Sequence, residues 1–130
     1  MGAVPIKILV VDDNVELNDV ICQILSSKSR EISSAFCGEQ CLTWLRQGNR
    51  GLIFLDIMMP GQNGWKVLQQ IIDENLQEGN LICIFTAIPN SMDQAATFEK
   101  YIFSYLCKPF AMSDLNQIVD LYIKKISIGA

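Results

Sequence analysis

Four short apolar runs, each ending in a polar residue, constrain the fold of this chain more than any other feature. Ile6–Val11 runs into Asp12 and Asp13, residues 52–55 into Asp56, residues 81–85 into Thr86, and Ile102–Cys107 into Lys108. Such runs have strand length, and a membrane-spanning helix would need about 20 consecutive apolar residues. If they lie parallel in one sheet, their carboxyl ends meet along a single edge, where open α/β sheets bind ligands. Three carboxylates, a hydroxyl and an ammonium then share one cleft.

The intervening segments carry helical spacing. Leu17, Val20, Ile21, Ile24 and Leu25 predict an amphipathic helix that Asp13 or Asn14 can cap. Residues 32–36 read as a short strand whose Ser33 and Ser34 make it the most polar, hence an edge strand. Residues 38–47 predict a second helix with Cys41, Leu42, Trp44 and Leu45 inward. Pro60 and Gly61 predict an irregular loop before a third helix that buries Trp65, Leu68, Ile71 and Ile72. A weakly apolar fourth helix is expected near residues 91–100, and a fifth carries Leu115, Ile118, Val119, Tyr122 and Ile126. Five strands alternating with five helices imply a parallel sheet covered on both faces.

Composition narrows the function. The 130 residues, half of them apolar, suit a single domain over 1–130 able to bury about 70% of the surface exposed on unfolding. A net charge of −4 and an isoelectric point near 4.6 lack the basic footprint of a direct nucleic-acid binder. No leader pattern precedes the first strand and no membrane span is present, so a soluble cytoplasmic protein is expected. Cys22, Cys37, Cys41, Cys83 and Cys107 form no C-x-x-C pair, and the chain has no histidine to complete a zinc site. They read as reduced, mostly core thiols.

Clustered carboxylates ionise reluctantly unless they share a cation. A hard divalent ion suits them: Mg²⁺ takes one or two carboxylates and keeps its other positions for water and phosphate oxygens. The cleft therefore reads as a site for a phosphoryl group.

The segments ILVVDDN, IFLDIMMPGQNGWKVL, ICIFTA and YLCKPF occur in this order and span residues 8–110. With them the chain resembles the response-regulator receiver domains of two-component signalling, over a motif-bearing core of residues 6–126. The resemblance implies a flavodoxin-like (βα)5 three-layer sandwich with strand order 2-1-3-4-5, in which the polar second strand lies at an edge. It places the phosphoacceptor at Asp56. It implies Mg²⁺ held by Asp12, Asp13, Asp56 and the backbone carbonyl of Met58. Lys108, expected to be joined to Pro109 by a cis peptide bond, would pair with Asp56 before reaction and with a phosphoryl oxygen after it. Thr86 and Tyr105 match the switch pair that remodels a surface of the fourth helix, fifth strand and fifth helix.

What the resemblance implies is a switch and not a turnover enzyme. The phosphoryl donor would be a histidine kinase or a histidine phosphotransfer protein, and the output an unidentified protein target. Five positions depart from the usual pattern: Asn63 stands for aspartate, Tyr101 and Ile102 replace Gly-Ala, and Met58 and Ile88 are both apolar. Neither Met58 nor Ile88 can hold an attacking water, so slow loss of the phosphoryl group is expected. Two other functions compete. A phosphate-independent interaction module would keep the fold without the switch. An aspartate-nucleophile phosphatase would place D-x-D on its first strand, where this chain has Asp12, Asp13 and Asn14. A nucleotide-binding module lacks its glycine-rich phosphate loop.

Overall fold

In the computed structural model, residues 5–27, 29–86 and 95–128 are described. Five parallel strands form the sheet: β1 (Ile6–Val11), β2 (Arg30–Ala35), β3 (Leu52–Asp56), β4 (Leu81–Thr86) and β5 (Ile102–Cys107). Their spatial order is β2-β1-β3-β4-β5, with the polar strand at one edge as expected. The interior strand β3 is buried at every position, the mark of a parallel strand covered on both faces.

Alternation along the strands feeds two cores. Ile8, Val10, Phe54, Cys83 and Phe85 face helices α1 (Val15–Leu25) and α5 (Met112–Ile128). Leu9, Val11, Ile53, Leu55 and Ile84 face α2 (Gly38–Arg46) and α3 (Gly64–Asp73). A short α4 (Ala95–Phe98) joins the second core, where Phe98 stacks on Trp65 with centroids 5.7 Å apart.

Several local expectations change. Asn14, not Asp13, caps α1, its side chain accepting from the Leu17 N–H at 3.1 Å. Val20 is 49% exposed because it lies about 100° round the helix from Ile21. Its expected place in the core is taken by Asn18. Ile126 is also exposed: the 17-residue α5, about 25 Å long, outruns strands of about 20 Å. Trp44 is only partly buried. The segment around Pro60 and Gly61 is not irregular throughout, since Met58–Met59 pairs antiparallel with Gln62–Asn63 and Gly61 supplies the turn with φ 71°. Of the fourth helical segment, residues 91–94 lie outside the described residues, and Glu99–Tyr101 continues α4 as a tighter 3-10 turn. Cys41 and Cys83 are buried, Cys22 and Cys37 are partly buried, and Cys107 is exposed because β5 is an edge strand. Tyr101 and Ile102 pack in part against the α2–α3 core.

Candidate phosphoacceptor site

Strand register delivers the polar residues to one edge. Val11 pairs with Leu55 and with Ala35, so Asp12 and Asp56 both lie where β1 and β3 end. Asp56 pairs with Phe85, and Thr86 with Cys107, which brings Lys108 to the same edge. The Lys108 backbone N–H donates to the Thr86 carbonyl at 2.8 Å. The Lys108–Pro109 peptide is cis.

The carboxylates converge. Asp12 and Asp56 are 1% and 3% exposed, Asp13 is exposed, and each offers an oxygen within 4.8 Å of the others. Asp12 Oδ1 accepts from the Asn14 N–H at 3.0 Å and Asp56 Oδ1 from the Met58 N–H at 3.0 Å. Lys108 Nζ lies 2.7 Å from Asp12 Oδ2 and 3.4 Å from Asp56 Oδ2. The ammonium therefore bridges two acids and sits closer to Asp12, which sequence reasoning did not anticipate.

Burial raises the Asp56 carboxyl above the ordinary carboxylate range. The Lys108 ammonium and the Met58 N–H oppose that rise, and the neighbouring Asp12 adds to it. A half-neutralised acidic cluster of this kind fits a hard divalent cation. Asp12, Asp13 and Asp56 supply oxygens of the right chemistry, and Met58 directly follows the strand-end turn.

Packing below the site holds these groups still. Phe85 stacks on Phe54 at 5.2 Å and on Phe110 at 5.1 Å, with the Lys108 ammonium 5.8 Å from the Phe85 ring centroid. Gly64 opens α3 beside the acceptor strand. A Cβ there would meet the Asp56 carbonyl at 2.6 Å and Ile57 Cα at 2.5 Å, so only glycine allows this approach. Asn63, at the unusual position, caps α3 by accepting from the Trp65 N–H at 2.9 Å.

Thr86 is buried at the same edge, and Tyr105 is 40% exposed on the outer strand. Burial, with the nearby Glu99 carboxylate, raises the Tyr105 phenol above its usual range. The segment joining Thr86 to α4, including Ile88, lies outside the described residues. A depression of about 360 Å³, lined by Leu17, Lys108, Pro109 and Phe110, opens beside the acidic cluster. Among the described residues no helix is long and apolar enough to cross a membrane.

The comparisons agree with this geometry. Residues 8–120 match the response regulator receiver domain. The transcriptional regulatory protein CiaR of Streptococcus pneumoniae is 30% identical over 120 residues, which is 92% of this chain and 52% of CiaR. A CheY-like receiver domain from Methanospirillum hungatei superposes with a TM-score of 0.78 at 34% identity, over 85% of this chain and 88% of that one. TrrA of Thermotoga maritima, solved in complex with Mg²⁺ and BeF, gives a TM-score of 0.75 at 28% identity over 90% and 98%. The fold and the acidic edge define a phosphorylation-based signalling module. The chain belongs to the response regulator receiver domain family, and it spans about half the length of the curated relatives it matches.

Proposed function

We propose that this protein accepts a phosphoryl group on Asp56 from a phosphohistidine donor in a Mg²⁺-dependent reaction and then switches a protein-binding surface. The observation that carries this reading is the convergence of Asp12, Asp13 and Asp56 with Lys108 at one sheet edge. Mg²⁺ held by Asp12, Asp13, Asp56 and the Met58 carbonyl would neutralise charge on the transferred oxygens. An Asp56 carboxylate oxygen attacks phosphorus as the donor's P–N bond breaks, leaving an acyl phosphate and a neutral imidazole once a proton reaches the ring.

Lys108 then pairs with a phosphoryl oxygen. The Thr86 hydroxyl moves toward another, and the Tyr105 ring follows it inward. Phosphorylation thus biases two arrangements of the surface formed by α4, β5 and α5. The apolar depression beside Lys108 suits the approach of a donor protein. The similarity to TrrA, captured with Mg²⁺ and BeF, supports the metal and phosphoryl assignment. The same chemistry makes the protein a substrate that assists its own modification rather than a turnover enzyme. A cytoplasmic location, facing a histidine kinase or phosphotransfer protein, fits this role.

Intact mass after incubation with phosphoramidate tests the reading. One phosphoryl adduct that needs Mg²⁺ and vanishes in Asp56→Ala supports it. A folded protein that binds Mg²⁺ and forms no adduct would favour a phosphate-independent module.

A further inference from the structure

Among the described residues, two side-chain amides are buried. Asn80 serves the far end of the sheet, where its Oδ1 accepts from the Gly51 N–H at 2.7 Å. Asn18 lies beneath the acidic pair, fully buried, and no motif accounts for it. Its Nδ2 lies 3.1 Å from the Val10 carbonyl, 3.1 Å from the Asp12 carbonyl and 3.2 Å from the Ala35 carbonyl. An amide nitrogen has two hydrogens for these three acceptors, so at least one is shared. The remaining atom is also satisfied, because the Cys22 thiol donates to Oδ1 at 3.4 Å.

These bonds act on one peptide plane. The Asp12 carbonyl and the Asp13 N–H belong to the same planar unit, so holding the oxygen fixes the direction in which Asp13 leaves β1. Asp12 is otherwise secured by its own N–H to the Ala35 carbonyl at 3.0 Å and by bonds to both carboxylate oxygens. Asp13 is exposed and has no such ties in the described structure. Its aim depends on the plane that Asn18 holds.

We infer that Asn18 is a positioning residue that orients the Asp13 carboxylate toward the divalent cation through the Asp12–Asp13 peptide. The inference rests on the metal site proposed above. Groups that orient metal ligands typically contribute about 10–100-fold in affinity. Asn18→Ala should weaken Mg²⁺ binding, measured calorimetrically, by about tenfold. In an Asp13→Ala background the same substitution should change affinity by less than about twofold, since the ligand it orients is gone.

Ile71→Val, in the core on the other face of the sheet, is the control for simple destabilisation. It should lower the urea midpoint and leave Mg²⁺ affinity unchanged. If Asn18→Ala does not fold, Asn18→Ser, which keeps one donor, should show an intermediate loss. Unchanged affinity in a folded Asn18 variant, or an equal loss with and without Asp13, overturns the inference. A wild-type protein that binds no Mg²⁺ removes the metal reading itself, a failure visible before any substitution is made.

Discussion

Lys108 is held closer to Asp12 than to the proposed acceptor, with its ammonium 2.7 Å from Asp12 Oδ2 and 3.4 Å from Asp56 Oδ2. In this arrangement the side chain acts as a resident cation among the acids. Mg²⁺ must compete with it for Asp12. Lys108→Met should therefore tighten Mg²⁺ binding several-fold while lowering stability without metal by about 3 kcal/mol, because a buried carboxylate loses its partner. Calorimetry and urea unfolding with and without Mg²⁺ check both effects. Weaker Mg²⁺ binding in this variant would mean that Lys108 assists the metal rather than opposing it.

The aromatic stack below the site links packing to chemistry. Phe85 is fully buried between Phe54 and Phe110, with Lys108 above it. Phe85→Ala should cost about 3–5 kcal/mol, through lost burial and a cavity that its neighbours only partly fill. Urea unfolding measures the loss. A cost below about 1 kcal/mol would show that the stack collapses without penalty.

Met58 bears on phosphoryl lifetime. Its side chain is half exposed two residues after Asp56, and it offers no hydrogen bond to hold a water in line with phosphorus. Met58→Asn should shorten the lifetime of the adduct, followed by intact mass against time after the donor is removed. An unchanged lifetime would move control to the segment containing Ile88.

Two buried thiols give the fold an alkaline limit. Burial raises Cys41 and Cys83 from 9.0 to about 12. Between those values the folded state holds protons that the unfolded chain releases, so stability falls as pH rises. This contribution is fully present below pH 9 and is lost toward pH 12. The slope of stability against pH should flatten in a Cys41→Ala, Cys83→Ala double variant. Cys107, exposed on the edge strand, should be the thiol that alkylates first at pH 8.

The strands were legible because β-length apolar runs ended in residues with one shared chemistry, and their order was what the family resemblance implied. Asp12, Asp13, Asp56, Thr86 and Lys108 all reach the carboxyl edge where that pattern placed them. Asn18 was not legible, since a buried amide reads as a polar position until its acceptors at Val10, Asp12 and Ala35 are known. Nor could sequence rank Asp12 above Asp56 as the partner of Lys108. That choice depends on a difference of less than an ångström between two contacts, set by three different strand ends. Val20 and Ile126 matched a helical period but fell outside the buried stripe, because periodicity does not state where a stripe is centred or where the sheet beneath it stops.

The most direct measurement is the chemical mapping of the phosphoryl linkage. Borohydride reduces an aspartyl phosphate to homoserine, so peptide sequencing by mass spectrometry identifies the modified residue. After Mg²⁺-dependent reaction with a small phosphodonor, homoserine should appear at position 56, with Asp12 and Asp13 unchanged. Homoserine at position 12 or 13, or a phosphorylated protein that yields none, would contradict Asp56 as the acceptor.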